Sequence, residues 1–233
     1  REEIEMARGE ASDTTWRQEY LAEADATSGI IFTEFATDHI LDSFILPPGA
    51  TVYRAIDWGL HNATCVLWAT VDKNGSLIIF LEHYQAGWSV IRQAKEINRL
   101  SKDMNIAWTV IDPSACKRDP VSFQSVQLAF AKEGIRAMPA DNRVEYGLEI
   151  CKRFLAYDKV LITSNCKNLI RQWKTLEWRH TNIGLKEDQR RVDDDAADAA
   201  RYILTRFAAH NPIHDAVSPV ESVGRKLNWR DFT

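Results

Sequence analysis

The residues of this sequence with the clearest chemical potential are aspartates at three places. Asp57 closes the apolar run Ala55-Ile56-Asp57-Trp58-Gly59, and Asp112 closes Val110-Ile111-Asp112-Pro113. The third place is the run Asp193-Asp194-Asp195-Ala196-Ala197-Asp198, which continues into Ala199-Ala200-Arg201-Tyr202. On a helix, Asp195 and Asp198 share a face at i,i+3. The small alanines around them permit close approach to a sheet. A carboxylate pair packed there is costly unless positive charge sits between. Clustered aspartates without accompanying His or Cys suit Mg2+ or Mn2+ rather than zinc. Two such ions about 4 Å apart clamp an in-line phosphoryl displacement, one activating water and the other stabilising the leaving 3′ oxygen.

Each position alone has a plainer reading. A strand-ending aspartate commonly serves a turn. An Asp run at a helix start caps free amides and complements the macrodipole. Capping needs one or two aspartates, however, and Asp198 lies a turn further in. Basic residues flank the acidic positions: Lys117 and Arg118 follow the second, and Arg179, Lys186, Arg190 and Arg191 precede the third. They are candidate phosphate contacts, and the plainer alternative is a solvated charged loop. Arg201, one turn beyond Asp198, either binds phosphate or pairs with that carboxylate. His61 is read as a surface or packing residue, with contact to water or phosphate as the alternative. Trp68, Trp108 and Trp173 read as packing, and Trp58 is placed to wall the site.

These side chains need elements to position them. Strand signals run over 51–58, 63–71 and 77–84, and Asp72-Lys73-Asn74-Gly75 joins the last two as a hairpin, Asn-Gly supplying positive φ. Residues 88–100 read as a helix, with Val90, Ile91, Ala94, Ile97 and Leu100 at helical spacing. An apolar β-rich run covers 107–111. Asp119 is expected to cap a helix reaching 132, with Pro120 in its first turn. A short strand follows at 135–138, then a helix over 143–156 and a short apolar run at 160–162. The next helix is expected to be capped by Ser164 or Asn165 and to run to 176. Asn182-Ile183-Gly184 suits a hairpin turn, and the last helix covers 194–209.

A leading meander followed by alternating strands and helices predicts an α/β fold. Its mixed five-stranded sheet has an antiparallel hairpin meander, then parallel strands, with helices on both faces. That plan sets the first and fourth strands side by side, so Asp57 and Asp112 emerge at one sheet end, where open α/β sheets place their sites. Pro47-Pro48-Gly49 is the strongest punctuation. It divides an N-terminal arm, 1–50, with a short helix at 14–24, from a domain over 51–211. Residues 212–233 form a tail.

The bulk composition limits the function classes. In 233 residues, 45% are hydrophobic and 27% charged, an ordinary globular balance. No apolar run approaches the roughly 20 residues that span a bilayer, and no signal peptide is visible. Cys65, Cys116, Cys151 and Cys166 are widely spaced and read as thiols in a reducing compartment. The formal net charge is −4, which is unlike many DNA-binding domains. Bound divalent cations invert the local sign of an acidic centre.

At its acidic positions the sequence resembles the nuclease domain of tailed-phage large terminases. Asp-x-Gly on the first strand, an Asp ending the fourth, and the helix Asp194-Asp195-Ala196-Ala197-Asp198-Ala199-Ala200-Arg201-Tyr202 carry the likeness, which runs over 53–207. Asp195-Ala196-Ala197-Asp198-Ala199 is also similar to the final motif of RuvC-type resolvases. In the arm, Trp16-Arg17-Gln18-Glu19-Tyr20-Leu21 and Gly29-Ile30-Ile31-Phe32 with Phe35 resemble the segment closing a terminase's packaging ATPase domain. The resemblance implies an RNase H-like fold and a Mg2+- or Mn2+-dependent endodeoxyribonuclease that cuts concatemeric viral DNA during genome packaging.

It further implies two divalent ions held by Asp57, Asp112 and one of Asp194 and Asp195. Asp195 is preferred, with Asp198 and Asp194 in support. The family often carries a further acid just after the first motif, where this sequence has His61, Asn62 and Ala63. No GxxxxGK[ST] phosphate loop is present, so an ATP motor is expected upstream and no ATP site within this chain. Double-stranded DNA, the small terminase subunit and a portal are the implied partners, and the host cytoplasm the implied location; no membrane is involved. Alternatives on a similar scaffold are a resolvase or a transposase-like integrase. An actin-like or sugar-kinase ATPase lacks its Gly-rich loops here. A non-catalytic DNA-binding or assembly module is the alternative of a different class.

Overall fold

The chain folds as a mixed α/β sheet, seen here in a computed structural model that describes residues 29–59, 62–119, 123–181, 184–189 and 194–211, with 179–181 and 184–189 described by backbone alone. The central strands are β2 (Thr51–Asp57), β3 (Ala63–Val71), β4 (Leu77–Ala86) and β5 (Asn105–Ile111). Short strands β1 (Ile40–Leu41), β6 (Met138–Pro139) and β7 (Val160–Thr163) extend the edges. The order is β1-β7-β4-β3-β2-β5-β6, with β2-β3-β4 an antiparallel meander and every other pairing parallel. The sheet has seven strands where five are expected. The difference lies at its edges, where β7 pairs with β4 and two-residue β1 pairs with β7.

Strand alternation sorts the core into two layers. Val52, Ile56, Val66, Trp68 and Ile111 face α1 (Val90–Leu100) and α2 (Val126–Lys132). Ala55, Cys65, Leu67, Ala69 and Val110 face α3 (Val144–Ala156), α4 (Lys167–Thr175) and α5 (Asp195–Ala208). Helices therefore cover both faces, as the sequence predicts. By the same alternation Asp57 follows Ala55 toward α5, while Trp58 turns to the other face and meets Phe130 edge-on at 5.8 Å. Trp58 thus does not wall the aspartates, contrary to the expectation from its neighbouring position. Trp68 and Trp173 are fully buried, and Trp108 stacks on Tyr53.

Residues before β2 share this core. Ile31 and Phe32 are buried among the α4 and α5 side chains. The Ile31 amide donates to the Leu176 carbonyl, and the Trp178 amide to the Gly29 carbonyl, each at 2.8 Å. Buried His39 brings Nε2 to 3.0 Å from the Leu155 carbonyl. Antiparallel β8 (Trp178–Thr181) and β9 (Gly184–Gln189) form the expected hairpin, whose residues 182–183 lie outside the described residues, as do 1–28 and the tail from 212.

Two helix starts differ from expectation. The helix expected from Asp119 begins at Val126, where Ser125 Oγ accepts the Leu128 amide. Residues 120–122, with the expected Pro120, lie outside the described residues, but Phe123 adopts φ 54 and its amide donates to the Asp119 carbonyl. A left-handed residue interrupts a right-handed helix. At α4, neither Ser164 nor Asn165 is the cap; their side chains bond the Asp42 and Phe80 carbonyls. Glu82 of β4 reaches across instead, accepting the Asn168 and Leu169 amides at 3.1 and 2.8 Å.

Candidate active site

Parallel pairing fixes the first two aspartates. Ile56 stands opposite Ile111, and the Asp112 amide donates to the Ile56 carbonyl at 3.0 Å. Asp57 and Asp112 therefore leave the same end of adjacent strands. Gly59 lets the chain turn away at once, since a Cβ there would lie 2.4 Å from the Ala63 carbonyl oxygen. Asp112 also serves its turn: Oδ1 accepts the Ser114 amide at 3.1 Å, and the Ser114 hydroxyl donates to Oδ2.

Helix α5 lies over β2, β3 and β5. Ala196, Ala197, Ala199 and Ala200 are all buried, and their small size permits that approach. The capping reading of the Asp run is answered at the helix start. Asp194 occupies the N-cap position but makes no side-chain cap bond. Gln172 of α4 does the capping: its Oε1 accepts the Ala196 and Ala197 amides, each at 2.8 Å. Two orphan donors of the first turn are thus satisfied from another helix, and Asp193 lies outside the described residues.

Four acidic side chains act on the Asp57 carboxyl. Burial pushes it well above the ordinary value, and Asp198, Asp112, Asp195 and Asp194 add to this in that order. Asp195 is nearly buried, and Tyr84 Oη donates to its Oδ2 at 2.7 Å. Gln172 Nε2 lies 3.4 Å from Tyr84 Oη, so a single side chain anchors both the helix start and the tyrosine. Tyr202 Oη stands 3.5 Å from Asp112 Oδ1. Burial, then Asp198 and Asp57, raise the Tyr202 hydroxyl, so it remains a donor at every working pH.

Arg201 lies inside this cluster. It is 1% exposed, too enclosed to meet a duplex from outside. Its Nε and Nη2 donate to Asp198 Oδ1 at 3.1 and 3.0 Å, so of the two roles open to it the structure shows pairing. Burial alone would depress the guanidinium, but Asp198 leads the groups that hold it more firmly charged than usual. Gly147 of α3 makes room for its stem, because a Cβ at that position would lie 2.5 Å from Arg201 Cγ.

Lys117 and Arg118 are exposed beyond the Asp112 turn. Arg179 and Lys186 lie on β8 and β9, while His61, Arg190 and Arg191 fall outside the described residues. Tyr84 and Gln172 escape the sequence reading. Their only signal is a polar residue at an otherwise inward position on a strand and on a helix. The four cysteines are free thiols, and burial pushes Cys151 and Cys166 up to about 12.

The donors fit a hard divalent cation. The four described neighbours that raise Asp57 are carboxylates, and oxygen donors of this kind suit Mg2+ or Mn2+. Among the described residues, no three acidic, His or Cys side chains yet close into a coordination shell. Arg201 pairs with Asp198. The mutual repulsion of the carboxylates around Asp57 is what an added cation would relieve.

The chain has relatives among known proteins. The chain is 26% identical over 212 residues to the terminase large subunit of Escherichia phage T5, covering 86% of this chain and 47% of that protein. It thus spans about half the length of that curated relative. A large terminase from a thermophilic bacteriophage, solved with ATP-gamma-S, superposes with a TM-score of 0.66 at 22% identity, over 76% of this chain and 45% of that one. The large terminase nuclease from thermophilic phage G20c, with bound magnesium, gives 0.57 at 15% identity, over 77% and 98%. The same nuclease has also been crystallised with cobalt. No protein-family model matches. The chain is therefore a sequence relative of a terminase large subunit, and its fold is the RNase H-like fold of large terminase nuclease domains.

Proposed function

We propose that this chain is a metal-dependent endodeoxyribonuclease, the part of a viral large terminase that cuts concatemeric DNA during packaging. One observation carries the reading: the acidic start of α5 lies over two strand-ending aspartates, while Gln172 of α4 caps two amides of that helix start. Asp57, Asp112 and Asp195 are the metal ligands, with Asp194 and Asp198 in support. When bound, two Mg2+ or Mn2+ ions would supply an activated water and stabilise the leaving 3′ oxygen. The chain's own residues perform the positioning. The strand ends fix Asp57 and Asp112, Tyr84 orients Asp195, and Arg201 holds Asp198. Lys117, Arg118, Arg179, Lys186, Arg190 and Arg191 supply phosphate contacts around the centre.

The likeness to large terminases supports a wider context. Double-stranded DNA is the substrate, an ATP-driven motor belongs to the remaining half of the protein, and a small terminase subunit and portal complete the machine in the host cytoplasm. Supercoiled plasmid tests the activity. Nicking and linearisation with Mg2+ or Mn2+, abolished by EDTA and by Asp57→Ala or Asp112→Ala, are the expected result. Intact plasmid with either metal would leave a non-catalytic assembly module as the better account.

A further inference from the structure

A cavity of about 510 Å3 opens beside the Asp112 turn. Cys116 forms its near wall, and Arg118 and Arg136 share its lining with Gln127 and Leu128. The 3-10 turn Pro113–Cys116 joins this wall directly to Asp112. At about 2 Å of rise per residue the two are separated by about 8 Å. Burial raises the Cys116 thiol, and the Asp112 charge adds to the effect.

The two arginines differ from others in this acidic chain. Arg99, Arg143 and Arg201 are tied to Glu96, Asp141 and Asp198. Arg118 and Arg136 are exposed and have no hydrogen-bond or ion-pair partner among the described residues. They come from separate segments, one after β5 and one after α2, yet line one concavity. A centre built of aspartates repels a polyanion, so cations beyond its rim must hold the strand in register. The cavity is larger than one phosphate requires, and Leu128 offers apolar surface to a sugar or base.

We propose that this cavity receives the DNA strand immediately beside the phosphate at the carboxylate centre, with Arg118 and Arg136 as paired contacts to its backbone. The inference rests on the nuclease reading and adds Arg136 and a defined subsite to it.

The test is fluorescence anisotropy with a labelled short duplex in EDTA, across a range of salt. Arg118→Ala and Arg136→Ala should each weaken binding roughly fivefold to tenfold near 0.1 M salt, and each should lower the slope of log affinity against log salt by about one. Mn2+ affinity and melting temperature should stay at wild-type values, because neither side chain has a partner among the described residues. Wild-type affinity and slope in the double variant would overturn the subsite alone. An equal loss on Lys95→Ala, on the exposed side of α1, would also overturn it, by showing a general charge effect. Wild-type protein that binds no duplex would overturn the subsite together with the nuclease reading.

Discussion

Burial and four neighbouring aspartates keep a proton on the Asp57 carboxyl to higher pH than an ordinary aspartate. A carboxyl raised in this way stabilises the fold fully below the ordinary aspartate value, about 4. That contribution is lost as pH climbs through the raised value, where the folded state must hold an extra charge. Metal-free Asp57→Asn protein should therefore melt above wild type at neutral pH, and the gap should close as pH falls toward 4. Thermal melts across pH check this, and saturating Mg2+ should narrow the gap by stabilising wild type alone. Tyr84 acts through Asp195. Tyr84→Phe keeps the ring and removes the donor, so Mn2+ affinity should fall by roughly tenfold to a hundredfold, as for other residues that orient metal ligands. Calorimetry reads the affinity directly, and a melting temperature close to wild type would separate this from unfolding.

Elements governed by local patterning were legible in the sequence. The meander β2-β3-β4 follows from three apolar runs and from the turn at Asn74-Gly75, where Gly75 adopts φ 76. The pairing of β2 with β5 followed from element order, and with it the convergence of Asp57 and Asp112. Long-range caps were not legible. Glu82 caps α4 from 86 residues away, and Gln172 caps α5 from 24 residues away, so no local motif marks either. The same remoteness hid Tyr84 from the site, 111 residues before Asp195. Gln172→Leu should leave two buried amides without an acceptor at the start of α5. A cost of roughly 1–3 kcal/mol follows, which for a domain of this size lowers the melting temperature by roughly 2–12 °C. Scanning calorimetry measures it, and an unchanged melt would show that the capping bonds contribute nothing.

At the scale of the whole molecule, the net charge of −4 conceals a division between an acidic centre and the exposed arginines of the neighbouring cavity. The segment before β2 is likewise more integral than its composition suggests, because Ile31 and Phe32 fill the core beneath α4 and α5. Removing residues 1–43 should expose that core. With about 1.5–3 kcal/mol for each large apolar side chain, the shortened protein should melt at least about 5 °C lower, as differential scanning fluorimetry would report. The central claim is that the aspartates around Asp57 form a divalent-cation centre and not a helix cap. Calorimetric titration of Mn2+ into wild-type protein and Asp57→Ala tests it most directly. Saturable binding in wild type, lost in the variant, is the predicted result; no binding in wild type, or equal binding in both, would contradict it.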